Sequence, residues 1–111
     1  MMTVHHVPVA GTSLAVHTAG AGRPLVLLHG FPLDHRMWEP QAALADHVRI
    51  VVPDLRGFGG SGATVATSVE QLADDVAALL GALHATTPAV ICGLSMGGYV
   101  AQHLAVRHPD R

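Results

Sequence analysis

The sequence has no lysine and a single cysteine, and among its 111 residues it has only one Trp, one Tyr and two Phe. Its six arginines are scattered at positions 23, 36, 49, 56, 107 and 111 against eight acids, so no basic stripe exists for nucleic acid or an anionic membrane surface. A lone cysteine rules out an internal disulfide. Cys92 lies between Ile91 and Gly93 in an apolar run, and is expected to be a buried thiol rather than a redox centre. No stretch approaches the roughly 18 apolar residues of a membrane span. The opening Met1-Met2-Thr3-Val4-His5-His6 has neither the basic patch nor the apolar run of a signal peptide, so a cytoplasmic location is the expectation.

What remains is a globular composition, 50% apolar and 13% charged, enough for one small domain with a modest core. Nine histidines raise the question of a metal, but their spacing gives no ligand cluster. His5 and His6 are adjacent rather than one helical turn apart, and His103 and His108 have the wrong spacing with no glutamate between them. No metal is expected.

Hydrophobic patterning predicts a hairpin over about residues 4–18, with runs Val4–Val9 and Thr12–Thr18 rich in β-branched residues around an Ala10-Gly11 turn. A βαβαβα unit follows over about residues 24–108. Its strands are the apolar runs Leu25–Leu28, Val48–Val52, interrupted only by Arg49, and Ala89–Cys92, the kind that parallel strands buried on both faces require. A short helix is expected over Glu39–Ala45, with Pro40 near its start. The clearest helix signal opens at Ser68, where Gln71 completes a capping box and Val69, Leu72, Val76, Leu79 and Leu83 recur along one face, with Asp74 and Asp75 on or near the wet side. Thr86-Thr87-Pro88 ends that unit. A last helix spans Met96–Arg107, stopped by Pro109. Between these elements, Leu55–Gly62 carries four glycines and is expected to be a loop.

The sharpest chemical signal is Gly93-Leu94-Ser95-Met96-Gly97, a GxSxG pattern at the junction of a buried strand and a helix. Such a corner holds the serine in a strained conformation with its hydroxyl projecting from the sheet, and the flanking glycines remove Cβ atoms that would collide. Helix-opening amides then point above Ser95, with the Met96 N–H as a first donor to an oxyanion. The bland alternative is that Ser95 merely caps the helix. A second donor, the Phe31 N–H, is expected from His29-Gly30-Phe31-Pro32, which leaves the end of another buried strand. His29 reads either as a general base or as a structural ring bonded to the loop backbone, the second being favoured by its place beside a strand end.

Three segments in order, His29–Pro32, Asp54–Ser61 and Gly93–Gly98, resemble the α/β-hydrolase superfamily, closest to its 3-oxoadipate enol-lactonase, esterase and cofactor-free haloperoxidase-like group. The resemblance runs from about residue 12 to the end. It implies an α/β fold class: the N-terminal part of an α/β-hydrolase fold, with a mostly parallel sheet and a flanking antiparallel hairpin, lacking its C-terminal strands and lid. It also implies Ser95 as nucleophile, the Phe31 and Met96 amides as oxyanion-hole donors, Asp54 as a loop-shaping residue, and Phe31, Met96 and Trp38 along the acyl side of a pocket. Ordinary core packing is an equal reading for Trp38. No cofactor is implied.

In this family the acid and then the histidine follow the serine on later loops, whereas here sixteen residues follow Ser95. Both triad partners are therefore expected to be absent, and His103, His108 and Asp110 should run down the side of the sheet away from Ser95. The strand before Ser95 should be central yet has no partner along one edge, so truncation is expected, with self-association through the uncovered edge as an alternative way to cover it. The leading expectation is a hydrolase of small carboxylic esters or lactones acting through an acyl-enzyme, weak or inactive as this chain. A C–C bond hydrolase, an aminopeptidase or a perhydrolase of the same fold, and a non-catalytic association module, are the alternatives. Serine at position 95 counts against dehalogenases and epoxide hydrolases, which use aspartate there.

Overall fold

In the computed structural model, which describes residues 2–62, 66, 68–83 and 88–110, five strands form one sheet. The β-branched runs at the N-terminus pair as an antiparallel hairpin, β1 (Thr3–Val9) with β2 (Thr12–Ala19), and Val9 faces Thr12 across the turn. Then come β3 (Pro24–Leu28), a 3₁₀ helix over His35–Asp46, β4 (Arg49–Pro53), α1 (Val69–Ala82), β5 (Val90–Gly93) and α2 (Met96–Arg107). The strand order is β1-β2-β4-β3-β5: β3 is parallel to both β4 and β5, and β4 is antiparallel to β2. This is a partial α/β-hydrolase fold with a mixed sheet, as the sequence implies. The turn expected at Thr86-Thr87-Pro88 lies outside the described residues except for Pro88.

Both faces of the central strands are covered, which is why their sequences are apolar without alternation. Val26 and Leu28 of β3 and Val51 of β4 pack with α1 and α2, while Leu27, Ile50 and Val52 pack on the opposite face against Trp38 and Val48. Helix α1 starts where the capping box places it, with the Ser68 hydroxyl accepting from the Gln71 N–H at 3.1 Å. Its Leu72, Val76 and Leu79 are buried as the periodicity requires. No helix among the described residues is long and apolar enough to cross a membrane.

Three expectations need correction. Asp75 is not on the wet side but buried, because Arg56 reaches in from the glycine-rich loop and forms two 2.8 Å hydrogen bonds with its carboxylate. The same guanidinium donates to the Ala10 carbonyl in the hairpin turn, so one buried ion pair ties β1–β2, the loop and α1 together. Helical periodicity shows which side a residue faces but not a partner arriving from a distant loop. Cys92 is exposed rather than buried. It lies on β5, which forms the edge of the sheet; Ile91 packs against the α1–α2 layer, so Cys92 and the half-exposed Val90 point to the face that no helix among the described residues covers there. The helix expected over Glu39–Ala45 begins earlier, at His35, because Asp34 caps it by accepting from the Arg36 N–H at 3.0 Å. Pro40 is therefore inside it, in a 3₁₀ turn.

Candidate functional site

At the C-terminal end of β5 the chain must reverse into α2 within two residues, and Ser95 takes the strain of that corner. Its φ of 53° and ψ of −113° make it the one non-glycine with positive φ among the described residues. A conformation of this kind costs about 1–3 kcal/mol and persists only where its surroundings enforce it. Enforcement comes from close packing: a Cβ on Gly93 would overlap the Gly97 carbonyl, and one on Gly97 would overlap the Leu28 and His29 carbonyls. The Leu94 N–H bonds to the Leu28 carbonyl at 3.1 Å and anchors the turn to β3. The Ser95 side chain is exposed and makes no cap hydrogen bond, so its hydroxyl is not spent on closing the helix.

The loop after β3 lies directly over this corner. A Cβ on Gly30 would be 3.2 Å from the Leu94 carbonyl oxygen and 3.5 Å from the Ser95 Cβ. Fully buried His29 fixes the loop from beneath: its Nδ1 lies 3.0 Å from the Gly30 carbonyl, and its Nε2 accepts the Leu55 N–H at 3.0 Å. That pattern requires the neutral imidazole protonated on Nδ1, and burial lowers its pKa, the Gly30 bond acting against it. Both ring nitrogens are thus engaged by backbone, which is the structural reading of His29. Around the corner the Gly97, Gly98 and Tyr99 amides turn back onto Leu94 and Ser95 carbonyls. Among the described residues, the Phe31 and Met96 amides make no such bond.

Phe31 and Met96 line an open cleft of about 280 Å³ together with Phe58, Val69 and Leu72, with the Phe31 and Phe58 rings edge to face at 5.8 Å. Trp38 is not part of it. Its ring packs against the Leu27–Ile50–Val52 cluster on the opposite face of the sheet, with the indole N–H buried and unpaired.

Asp54 follows β4 and shapes its loop, accepting the Gly60 N–H at 2.9 Å and the His35 N–H at 2.7 Å, while the Ser61 hydroxyl bonds to its carbonyl. Burial works to raise its pKa, yet the bonds from Gly60, the His35 amide and the His35 ring together hold it below the ordinary carboxylate value. Spacing in the sequence gave no hint that His17 and His35 would meet at this residue, since the three come from β2, the 3₁₀ helix and the end of β4. Only the strand order brings them together.

No described side chain hydrogen-bonds to the Ser95 hydroxyl. His103 and His108 turn to α1, where His103 Nδ1 lies 3.5 Å from Glu70 and His108 Nε2 lies 2.8 Å from Asp74. An exposed serine hydroxyl at a strained corner, next to an apolar cleft, is an arrangement that can attack a carbonyl once a base is supplied, and no described side chain is placed to act as that base.

Residues 23–111 match the family model described as alpha/beta hydrolase fold. The chain is 43% identical over 93 residues to the pimeloyl-acyl-carrier protein methyl ester esterase of Vibrio cholerae, covering 83% of this chain and 34% of that protein. It is 35% identical to 3-oxoadipate enol-lactonase 1 of Acinetobacter baylyi, covering 100% of this chain and 44% of the lactonase. Among solved structures, a thermophilic esterase from Thermogutta terrifontis superposes with a TM-score of 0.87 at 42% identity, over 100% of this chain and 42% of the esterase. The chain thus spans well under half the length of the relatives it matches.

Proposed function

This chain belongs to the α/β-hydrolase family, and from that premise we propose that it carries the nucleophile and oxyanion hole of a serine-dependent hydrolase of small carboxylic esters or lactones. The observation that carries the reading is the exposed Ser95 at positive φ beneath the Gly30–Phe31 loop. Ser95 Oγ attacks the substrate carbonyl carbon, and the Phe31 and Met96 amides hold the negative charge that develops on its oxygen. The alcohol or enol leaves, and water then releases the acid. The apolar lining by Phe31, Phe58, Val69, Leu72 and Met96 suits the acyl chain rather than a charged group. The reaction also requires a histidine to accept the serine proton and an acid to orient it, and no described side chain takes either place. The esterase and lactonase relatives support an ester or lactone substrate over a C–C bond, a peptide or perhydrolysis.

Without a base, serine is a weak nucleophile, so the isolated chain should turn over p-nitrophenyl butyrate at little above the buffer rate. A chimera in which residues 1–111 replace the matching part of the Thermogutta terrifontis esterase supplies the missing groups. It should hydrolyse the same ester, and Ser95→Ala should lower kcat by about 10³-fold or more. Undiminished activity in that variant contradicts the proposal.

The half-exposed Val90 and exposed Cys92 of the edge strand β5, with half-exposed Leu94 just after it, support a second reading, in which copies of this chain associate through that edge. Concentration-dependent sedimentation that a charge at Val90 abolishes would favour it.

A further inference from the structure

We propose that His17, His35 and Asp54 form a binding site for one borderline divalent transition-metal cation of the Zn²⁺ type, separate from the Ser95 cleft. The three side chains each offer a ligand atom, and these atoms lie within 4.8 Å of one another. They come from elements that the sheet holds in fixed relation. His17 on β2 is paired across the sheet with Val52 of β4, Asp54 leaves the end of β4, and His35 opens the 3₁₀ helix that packs beside β4.

Hydrogen bonding within the group is incomplete. His35 Nδ1 bonds to Asp54 Oδ1 at 2.8 Å, but His17 Nε2 is buried with no hydrogen-bond partner among the described residues, and Asp54 Oδ2 is 3.5 Å away. Leaving a buried polar atom unpaired is costly, and native proteins rarely keep one without a reason. Here the unpaired atom is an imidazole nitrogen with a second imidazole stacked on it, ring centroids 3.5 Å apart and planes 16° from parallel, beside a carboxylate 1% exposed. Stacking two imidazoles does not satisfy that nitrogen. A cation shared by both rings and the carboxylate does.

The donor set selects the ion. Two imidazoles and one carboxylate suit Zn²⁺, Co²⁺ or Ni²⁺, whereas Mg²⁺ and Ca²⁺ require mainly oxygen ligands. An open cleft of about 360 Å³, lined by His17, His35, Glu39, Ala42 and Asp46, gives the ion an entry path, and water can take a remaining position. Parallel rings cannot both hold one ion in their planes. His35, with 23% of its side chain exposed, is therefore the ligand that turns on binding, while the more enclosed His17 stays. The bound ion would cross-link β2, the 3₁₀ helix and the Asp54 loop.

Titrating the full chain with Zn²⁺ by calorimetry, and with Co²⁺ by visible absorption, tests the site. One ion per chain is expected, with a thermal-midpoint rise on adding Zn²⁺ and a Co²⁺ d–d band characteristic of nitrogen and oxygen ligands. His17→Phe and the more exposed His35→Gln should each weaken binding by about tenfold or more, while His5→Gln with His6→Gln leaves it unchanged. His35→Gln keeps the test open where His17→Phe fails to fold. Absence of saturable binding, binding that survives both single changes, or binding lost with His5 and His6 overturns the proposal.

Discussion

Gly30 faces Ser95: a Cβ on the glycine would lie 3.5 Å from the serine Cβ and 3.2 Å from the Leu94 carbonyl oxygen, so the loop after β3 covers the turn after β5 with space for little more than a methyl group between them. This close approach puts Phe31 and Met96 at the same end of the sheet, and it depends on the tight packing of the neighbouring glycines.

Gly97 and Gly98 are adjacent but should behave oppositely. A Cβ at Gly97 overlaps backbone carbonyls that cannot move aside, so Gly97→Ala should cost roughly 2–3 kcal/mol in urea denaturation. At Gly98 the added Cβ meets the Gly93 carbonyl at an ordinary 3.4 Å, and Gly98→Ala should be neutral or add about 0.5–1 kcal/mol through helix propensity. Equal effects at the two positions would refute the packing account.

Ser95 should be less stable than the alternative that fits its backbone. Ser95→Gly relieves a positive φ and is expected to raise unfolding free energy by about 1 kcal/mol while removing the hydroxyl. A loss of stability in that variant would show that the corner is not strained.

The Arg56–Asp75 pair is buried on both sides, so removing one partner strands a charge. Asp75→Ala should destabilise the chain by about 3–5 kcal/mol, and Arg56→Met combined with Asp75→Leu should recover most of that loss. Chemical denaturation of the original chain and the two variants measures it.

A pH effect follows from Asp74, whose pKa is lowered from 3.8 to about 2, first by its hydrogen bonds from Arg107 and then by His108. A depressed carboxylate contributes its full stability above the unfolded value and loses it as pH falls through the folded one, so the contribution fades between about pH 4 and 2. Because the pair is exposed and screened, Asp74→Asn should cost no more than about 1 kcal/mol at pH 7, less in high salt, and nothing near pH 2. Thermal melts of both proteins across that range provide the comparison.

Local signals carried the sequence reading a long way. Ser68 with Gln71, the Ala10-Gly11 turn and the apolar runs of β3 and β4 each depend on neighbours in the chain, and each formed where expected. The Gly93–Gly97 corner was legible for the same reason. What stayed hidden depended on partners far along the chain: Asp75 needs Arg56 from another loop, Cys92 needs an edge no described helix covers, and His17 meets His35 and Asp54 only after β4 inserts between β2 and β3. Trp38 follows a site-like loop in sequence but crosses to the far face of the sheet.

If Ser95 carries the reacting oxygen, mass-spectrometric mapping of a fluorophosphonate adduct on the esterase chimera finds the label there. Near-stoichiometric modification of the peptide containing Ser95 is expected, with none in the Ser95→Gly form. An adduct on any other residue, or an active chimera that leaves Ser95 unmodified, would contradict that role.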